Sequence, residues 1–191
     1  MKKLVLVLLI AMMSLSQAQV IIGDAVGTAP VKTSVLLDFA KNDNIALPNQ
    51  SKGIIVPYVR TLPTGAALVG GSIILDATSA TASRMKFYNA KTSTWIDISG
   101  QDANLTTPVD FMTVQPTLVA DASARAIIGA ANSTADGVLV LESTTKALLL
   151  PIVADVQNIP SPSPGMMVYV NKTGAKRLAV FNGSKWSFFK P

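Results

Sequence analysis

Cysteine and histidine are both absent from this chain of 191 residues. Without cysteine there is no disulfide and no thiol nucleophile, and without histidine there is no Ser-His-Asp triad and no ordinary zinc site. Glu142 is the only glutamate. A pair of carboxylates of the glycosidase type would need two aspartates, or Glu142 with Asp155, and the spacing does not fix those two at a working distance. We therefore expect a protein that is not an enzyme and has no cofactor; an unusual carboxylate-based hydrolase is the least favoured alternative.

Asp38, Asn42, Asp43 and Asn44 form a cluster of oxygen-bearing side chains. Carboxylate and amide oxygens are the ligands that calcium prefers, but this spacing matches no known calcium loop. Asparagine and aspartate also tolerate left-handed backbone angles, which suits a turn. We interpret the cluster as a turn and predict no metal site.

Long hydrophobic runs are also lacking, apart from one at the start of the chain. Lys2 and Lys3 precede the apolar segment Leu4–Met13, and Ser16-Gln17-Ala18 provides the small residues that a signal peptidase recognises. The segment is too short to span a bilayer, which takes about 20 residues. The pattern predicts a signal peptide at residues 1–18 and no transmembrane span. The exported protein is then secreted or at the outer cell surface, with the periplasm as an alternative.

Charged residues are few, at 14% of the chain, whereas 49% of the residues are hydrophobic, so a packed core is expected. The net charge is +5 at pH 7, and the excess of positive charge lies in residues 138–191, which carry six basic and two acidic side chains. A solvated surface is the simplest interpretation, and an acidic glycan is the alternative partner; nucleic acid fits poorly. The candidate basic face comprises Lys172, Lys176, Arg177, Lys185 and Lys190.

One stretch of sequence occurs twice. Residues 45–57, IALPNQSKGIIVP, align without a gap on residues 139–151, LVLESTTKALLLP, at an offset of 94 residues. A fixed internal offset is typical of a duplicated structural module. Both copies continue through the same landmarks, which are Gly71 and Gly165, Arg84 and Arg177, Asn89 and Asn182, and Trp95 and Trp186.

Short apolar or β-branched runs separated by turn residues predict an all-β fold of two related small modules, with little helix beyond the signal peptide. We divide the chain into a leader (19–32), repeat 1 (33–99), a proline-containing linker (100–122) and repeat 2 (123–191). The linker is interpreted as extended, with a strand at Val109–Val114 as an alternative, and one helical turn is expected near Ala154–Ile159. The predicted strands are Ser34–Phe39, Asn44–Leu47, Gly53–Val56, Ser72–Ala77, Arg84–Tyr88 and Trp95–Ile98 in repeat 1, and Ala126–Ile128, Val138–Leu141, Ala147–Leu150, Met166–Val170, Arg177–Phe181 and Trp186–Phe189 in repeat 2.

Repeat 2 reads LVLESTTKALLLP…SPSPGMMVYV…LAVFNGSKW. This pattern resembles a module of secreted Bacteroidota surface proteins and of phage tail-fibre-like proteins. It covers residues 137–188 well and residues 44–98 more loosely, because no proline precedes Gly71 and Asn89-Ala90 replaces an Asn-Gly turn. The resemblance implies a surface or fibre module without catalytic residues. The residues that carry it are Ser143, Thr144, Lys146, Pro151, Pro164, Gly165, Val168, Tyr169, Phe181, Asn182, Gly183 and Trp186.

Several residues of the repeat predict local structure. Pro57 and Pro151 suit the ends of strands, and Gly71 and Gly165 suit a loop that feeds a strand. Asn182-Gly183 predicts a hairpin in which both residues take positive φ. Trp95 and Trp186 are expected to be buried anchors of the closing strands, with sugar stacking as the alternative.

Phe188 and Phe189 are consecutive, so on a strand their rings face opposite sides and only one can face a core. The other ring must be exposed or meet a partner. Two small β-modules without disulfides also leave strand edges that must be covered. We therefore expect a structural or adhesive fibre-like protein that associates with itself or with another surface protein. A glycan-binding protein that uses an aromatic or basic face is the alternative, and a monomer whose linker covers the edges is the competing structure.

Overall fold

The structure, a computed structural model, describes residues 20–22, 34–39, 53–65, 68–107, 110–113, 125–135 and 137–189. The predicted signal peptide, the predicted strand Asn44–Leu47, the turn at Asn42-Asp43-Asn44 and the linker after Thr113 lie outside these residues. Within them the chain is all-β, as predicted, and contains no α-helix. No helix in this part of the chain is long and apolar enough to cross a membrane.

The described residues form fourteen short strands and two 3-10 turns, Phe111–Thr113 and Val156–Asn158. The strands are β1 (Val20–Ile22), β2 (Val35–Phe39), β3 (Ile54–Ile55), β4 (Tyr58–Val59), β5 (Ile73–Asp76), β6 (Arg84–Asn89), β7 (Thr94–Asp97), β8 (Ala126–Ile128), β9 (Leu139–Leu141), β10 (Ala147–Leu148), β11 (Ile152–Val153), β12 (Met166–Val170), β13 (Arg177–Phe181) and β14 (Trp186–Phe189).

The two repeats build the same sheet. Repeat 1 has the strand order β4-β5-β6-β7 and repeat 2 has β11-β12-β13-β14. In each sheet the first pair is parallel and the other two are antiparallel. The register is also the same. Tyr58 stands opposite Leu75 in repeat 1, and the residues 94 positions later, Ile152 and Tyr169, stand opposite each other in repeat 2. The prediction that both halves share one strand order is confirmed for these two sheets, whereas the short strands that precede them, β3 and β10, pair with different neighbours.

Most predicted strands are observed, and those of repeat 2 at Ala126–Ile128, Met166–Val170, Arg177–Phe181 and Trp186–Phe189 agree to the residue. The two-residue strands β4 and β11 were not predicted, because each follows a proline that was expected to end the preceding strand. In the structure that proline separates two strands that belong to different sheets. The predicted helical turn is the 3-10 turn at Val156–Asn158, which Asp155 caps.

The alternative strand at Val109–Val114 is wrong in its described part, where Phe111–Thr113 forms a 3-10 turn. Asp110 accounts for the difference. Its carboxylate accepts the backbone N–H of Met112 at 2.9 Å, and its carbonyl accepts the Thr113 hydroxyl at 2.8 Å. Such local bonds from aspartate favour a turn over a strand.

The segment before each proline leaves its own repeat. We call residues 53–56 arm 1 and residues 147–150 arm 2; they occupy equivalent places in the duplicated sequence. Strand β3 of arm 1 pairs antiparallel with β12 of repeat 2. Strand β10 of arm 2 pairs parallel with β2 of repeat 1. The arms therefore cross between the repeats and tie them together.

The main core is shared by both repeats and the linker. At its centre lies Leu105 of the linker, which is 0% exposed. The linker is held there by a bridge between Ser83 and Ala103, whose two N–H···O bonds measure 2.9 and 3.0 Å. A second cluster covers the opposite face of β12 and β13 and includes Val168, which is fully buried. The shared core consists of Val56, Leu75, Ala77, Met85, Leu105, Met167 and Val180.

Candidate assembly surface

The second strand of each sheet, β5 or β12, begins in the same way. Gly71 and Gly165 take positive φ, +90° and +80°. Their N–H groups donate to Tyr88 O at 2.9 Å and to Phe181 O at 2.8 Å. A residue with a side chain is strained at such angles, which explains why glycine stands at both places.

Both prolines act through their carbonyls. Pro57 O accepts the N–H of Leu75 at 2.9 Å, and Pro151 O accepts the N–H of Tyr169 at 2.9 Å. Proline donates no backbone hydrogen bond, so at the junction between arm and sheet it serves only as an acceptor. The junction thus fixes where the parallel strand of each sheet begins.

The tryptophans lie at equivalent positions in the two sheets. Trp95 stacks on Tyr88 with ring centroids 5.3 Å apart, and Trp186 stacks on Phe181 at 5.2 Å. Both indoles are partly buried. The tilted geometry is the one that aromatic pairs favour. A structural role in the closing hairpin explains both tryptophans.

Replacing Trp186 by alanine is expected to lower the free energy of unfolding by about 2–3 kcal/mol, because a partly buried ring and its contact with Phe181 are lost. Urea unfolding followed by circular dichroism measures the change. A loss below about 1 kcal/mol that is accompanied by loss of sugar binding would instead assign the ring to a glycan site.

The turn between β13 and β14 differs from the predicted one. Only Gly183 takes positive φ, at +111°, and Asn182 does not. The Asn182 side chain explains this, since its oxygen accepts the N–H groups of Ser184 and Lys185, both at 3.0 Å. Its amide nitrogen donates to Gln101 O at 2.8 Å. This fully buried asparagine therefore closes the hairpin and joins it to the linker.

The equivalent arginines have different partners. Arg84 donates to Asp97 at 2.5 Å and to Asp102 at 2.7 Å. Arg177 instead lies over the ring of Phe188, 4.6 Å from its centroid, and its Nε is buried without a hydrogen-bond partner among the described residues. Phenylalanine has thus replaced a carboxylate at this place in repeat 2.

Phe188 and Phe189 are both exposed, at 43% and 42%. They lie on β14, which is an edge strand of its sheet among the described residues. Neither ring is therefore covered by the described core. Exposed aromatic rings on a sheet edge are a feature of surfaces that meet a partner.

The basic residues do not form one face. Lys176 and Arg177 lie where β13 begins, and Lys172 lies in the same turn, paired with Asp155 at 2.7 Å. Lys185 lies in the turn at the other end of β13. The structure brings Arg177 next to Phe188 and leaves Lys185 apart from them.

The two carboxylates considered for hydrolysis have separate roles. Glu142 accepts a hydrogen bond from Ser133 beside a shallow depression lined by Ala130, Asn132 and Thr134. Asp155 caps the 3-10 turn, and the Lys172 ammonium, together with the N–H of Gln157, holds the pKa of Asp155 below its usual value. In the described ranges, no three acidic residues converge as a metal site would require.

Acid is expected to weaken the fold through Asp97. Burial raises the pKa of Asp97. Hydrogen bonds from the backbone N–H and the hydroxyl of Ser99, both 2.8 Å long, and from Arg84 lower it by more than burial raises it. The net shift of the Asp97 pKa is therefore downward. Because the unfolded state then binds protons more readily, this contribution is present above the ordinary aspartate pKa of about 4 and is lost as pH falls through the lowered value.

Urea unfolding between pH 6 and pH 2 measures this dependence. The variant Asp97→Asn should be less stable at neutral pH and should lose stability less steeply below pH 4. A slope equal to that of the unmodified chain would contradict the role given to Asp97.

The arms were not identified as an interaction element from the sequence. The sequence does mark them, because the gapless alignment of residues 45–57 on residues 139–151 includes both arms near its end. In the structure the two arms make different contacts, since arm 1 pairs antiparallel with β12 and arm 2 pairs parallel with β2.

Residues 127–190 match a family model described as a phage tail like trimerisation region. The match covers about a third of the chain, all of it in repeat 2. It supports a phage tail-fibre-like module of structural character and indicates self-association. No curated protein and no solved structure matches the chain.

Proposed function

We propose that this protein is an exported, non-enzymatic structural subunit that assembles with copies of itself into a trimeric, fibre-like unit at the cell surface. The match of residues 127–190 to a trimerisation region is the observation that carries the proposal. The exposed Phe188 and Phe189 and the short sheet edges give this module surfaces that a second copy can cover.

Export rests on the pattern of Lys2, Lys3, Leu4–Met13 and Ser16-Gln17-Ala18. It fits a chain that has no cysteine and gains its stability from a shared core and from assembly. The intact mass of the protein recovered outside the cell tests this part. A product that begins at Gln19 supports export, and one that retains Met1 contradicts it.

The alternative is a glycan-binding protein. Its best support is the group of Arg177, Phe188 and Phe189, in which a cation and two exposed rings lie on one strand pair. A glycan array with the unmodified protein and with Phe189→Ser distinguishes the two functions. Binding that Phe189→Ser abolishes, by a protein that stays monomeric, would favour the glycan function.

Light scattering between about 1 and 100 μM tests self-association directly. A mass of three chains that persists on dilution supports the proposal. A mass of one chain throughout this range would overturn it.

A further inference from the structure

The contact of arm 1 with β12 shows how an arm is received by a sheet. Ile54 stands opposite Met167 and Ile55 opposite Met166 in an antiparallel register. The N–H of Val56 continues the pairing by donating to Gly165 O at 3.1 Å. β12 thus has two neighbours on the same side, arm 1 along its first half and β11 along its second.

The corresponding half-edge in repeat 1 has no such neighbour. β4 pairs with Leu75 and Asp76, as β11 does in repeat 2, but no strand among the described residues pairs with Ser72 and Ile73 on that side. Burial reflects the difference. Gly165 is buried and Met166 is 7% exposed, whereas Gly71 is exposed and Ser72 is only partly buried.

We propose that arm 2 of one copy of this chain adds as an antiparallel strand to this open edge of β5 in a second copy, with Leu148 opposite Ile73 and Leu149 opposite Ser72. This register is the one of arm 1 on β12, moved by the repeat offset of 94 residues. The inference rests on the proposed self-association and specifies its interface.

One edge of the arm 2 backbone is directed away from β2, as the proposed contact requires. Ala147 and Leu149 direct their N–H groups to β2 of repeat 1, donating to Ser34 O at 2.8 Å and to Leu37 O at 3.0 Å. Successive residues of a strand direct their N–H groups to alternate sides. The N–H group of Leu148, the residue between them, therefore points away from β2. Leu148 is the equivalent of Ile54, the residue of arm 1 that pairs with β12.

Two side chains at this contact differ between the repeats, and the two differences compensate each other in part. A Cβ on Gly53 would lie 2.4 Å from Met166 Cγ and 2.8 Å from Met167 O, so arm 1 fits against β12 only as glycine. In the proposed contact Ala147 takes the place of Gly53, and Ser72 takes the place of Met166. The shorter serine removes the closest clash. Ile73 O and Ile74 take the places of Met167 O and Val168, whose Cγ1 also lies 2.8 Å from that Cβ, so the arm must lie slightly farther from both.

Within one chain arm 2 lies on β2, and no other described segment pairs with the β5 edge, so in the proposed contact a second copy supplies the strand. Such a contact joins two different surfaces, the arm of one copy and the edge of the next. Contacts of this kind form rings when the rotation between copies closes. When arm 2 of each copy pairs with the β5 edge of the next copy, three copies close into a ring in which every β5 edge is paired.

A disulfide test suits this chain, because it contains no cysteine. Residues opposite each other in a hydrogen-bonded antiparallel pair have Cα atoms about 5.5 Å apart, which a disulfide spans. In the double variant Ile73→Cys, Leu148→Cys, mild oxidation is expected to give covalently linked trimers on a non-reducing gel. A mixture of the two single variants, one of them tagged, is expected to give the tagged–untagged dimer.

The matched control is Ile73→Cys with Leu139→Cys, because Leu139 is an exposed leucine of repeat 2 outside the arm; it should link at least tenfold less. Ser72→Cys with Leu149→Cys is a second pair in the same register, for use if the first perturbs the fold. Links formed within one chain, or no links in a protein that light scattering shows to be trimeric, would overturn the arm contact alone. A monomer without links would overturn the arm contact and the proposed function together.

Discussion

Replacing Leu105 by alanine is expected to lower the free energy of unfolding by about 3–5 kcal/mol, because this side chain is completely buried where both repeats and the linker meet. The cavity would open between Leu75 and Met85 of repeat 1 and Met167 and Val180 of repeat 2. Both repeats should therefore be destabilised by one change in the linker.

The control is Leu139→Ala, since Leu139 is 47% exposed and its loss should cost less than about 1 kcal/mol. Trp95→Phe and Trp186→Phe leave a single tryptophan in repeat 2 and repeat 1, respectively, so that fluorescence follows each repeat separately. With Leu105→Ala in either background, urea unfolding at one protein concentration should shift to the same extent by both probes. A shift seen by one tryptophan only would contradict the shared core.

Replacing Gly183 by alanine is expected to cost about 2–4 kcal/mol, the second largest effect of those considered. Its φ of +111° strains any residue with a Cβ, and that Cβ would also lie 2.9 Å from Leu105 and 3.0 Å from Pro164. Strain and crowding add at this position, so the hairpin and the core should both be affected.

Gly174→Ala separates the two causes. Gly174 also takes positive φ, +74°, but nothing lies within 4 Å of the added Cβ. Its replacement should cost about 1–2 kcal/mol from strain alone. Thermal unfolding of both variants measures the difference, and equal costs would show that Gly183 is not crowded by the core.

The sequence predicted the fold where a strand has a sharp local signal. Met166–Val170 is an apolar run between Gly165 and a turn, and its bounds were predicted to the residue. The sheet order of repeat 1 followed from the duplication, because Pro57 and Gly71 repeat the positions of Pro151 and Gly165.

What the sequence did not predict depends on contacts between distant residues. A strand at Gly53–Val56 was predicted, but its pairing with β12, more than a hundred positions away, was not. The turn at Asn182 likewise depends on Gln101 O, a partner that local propensity does not reveal. Of the candidate site residues, Arg177 and Phe188 are brought together by cross-strand register, whereas Lys185 lies at the opposite end of β13.

Subunit mixing tests the central claim, that three copies of this chain form one structural unit. Tagged and untagged chains are co-expressed without residues 1–18, purified without selection for the tag, and weighed by native mass spectrometry. A trimer gives four masses, which correspond to zero, one, two or three tagged chains. We expect these four species, and two masses, each of a single chain, would contradict the trimer.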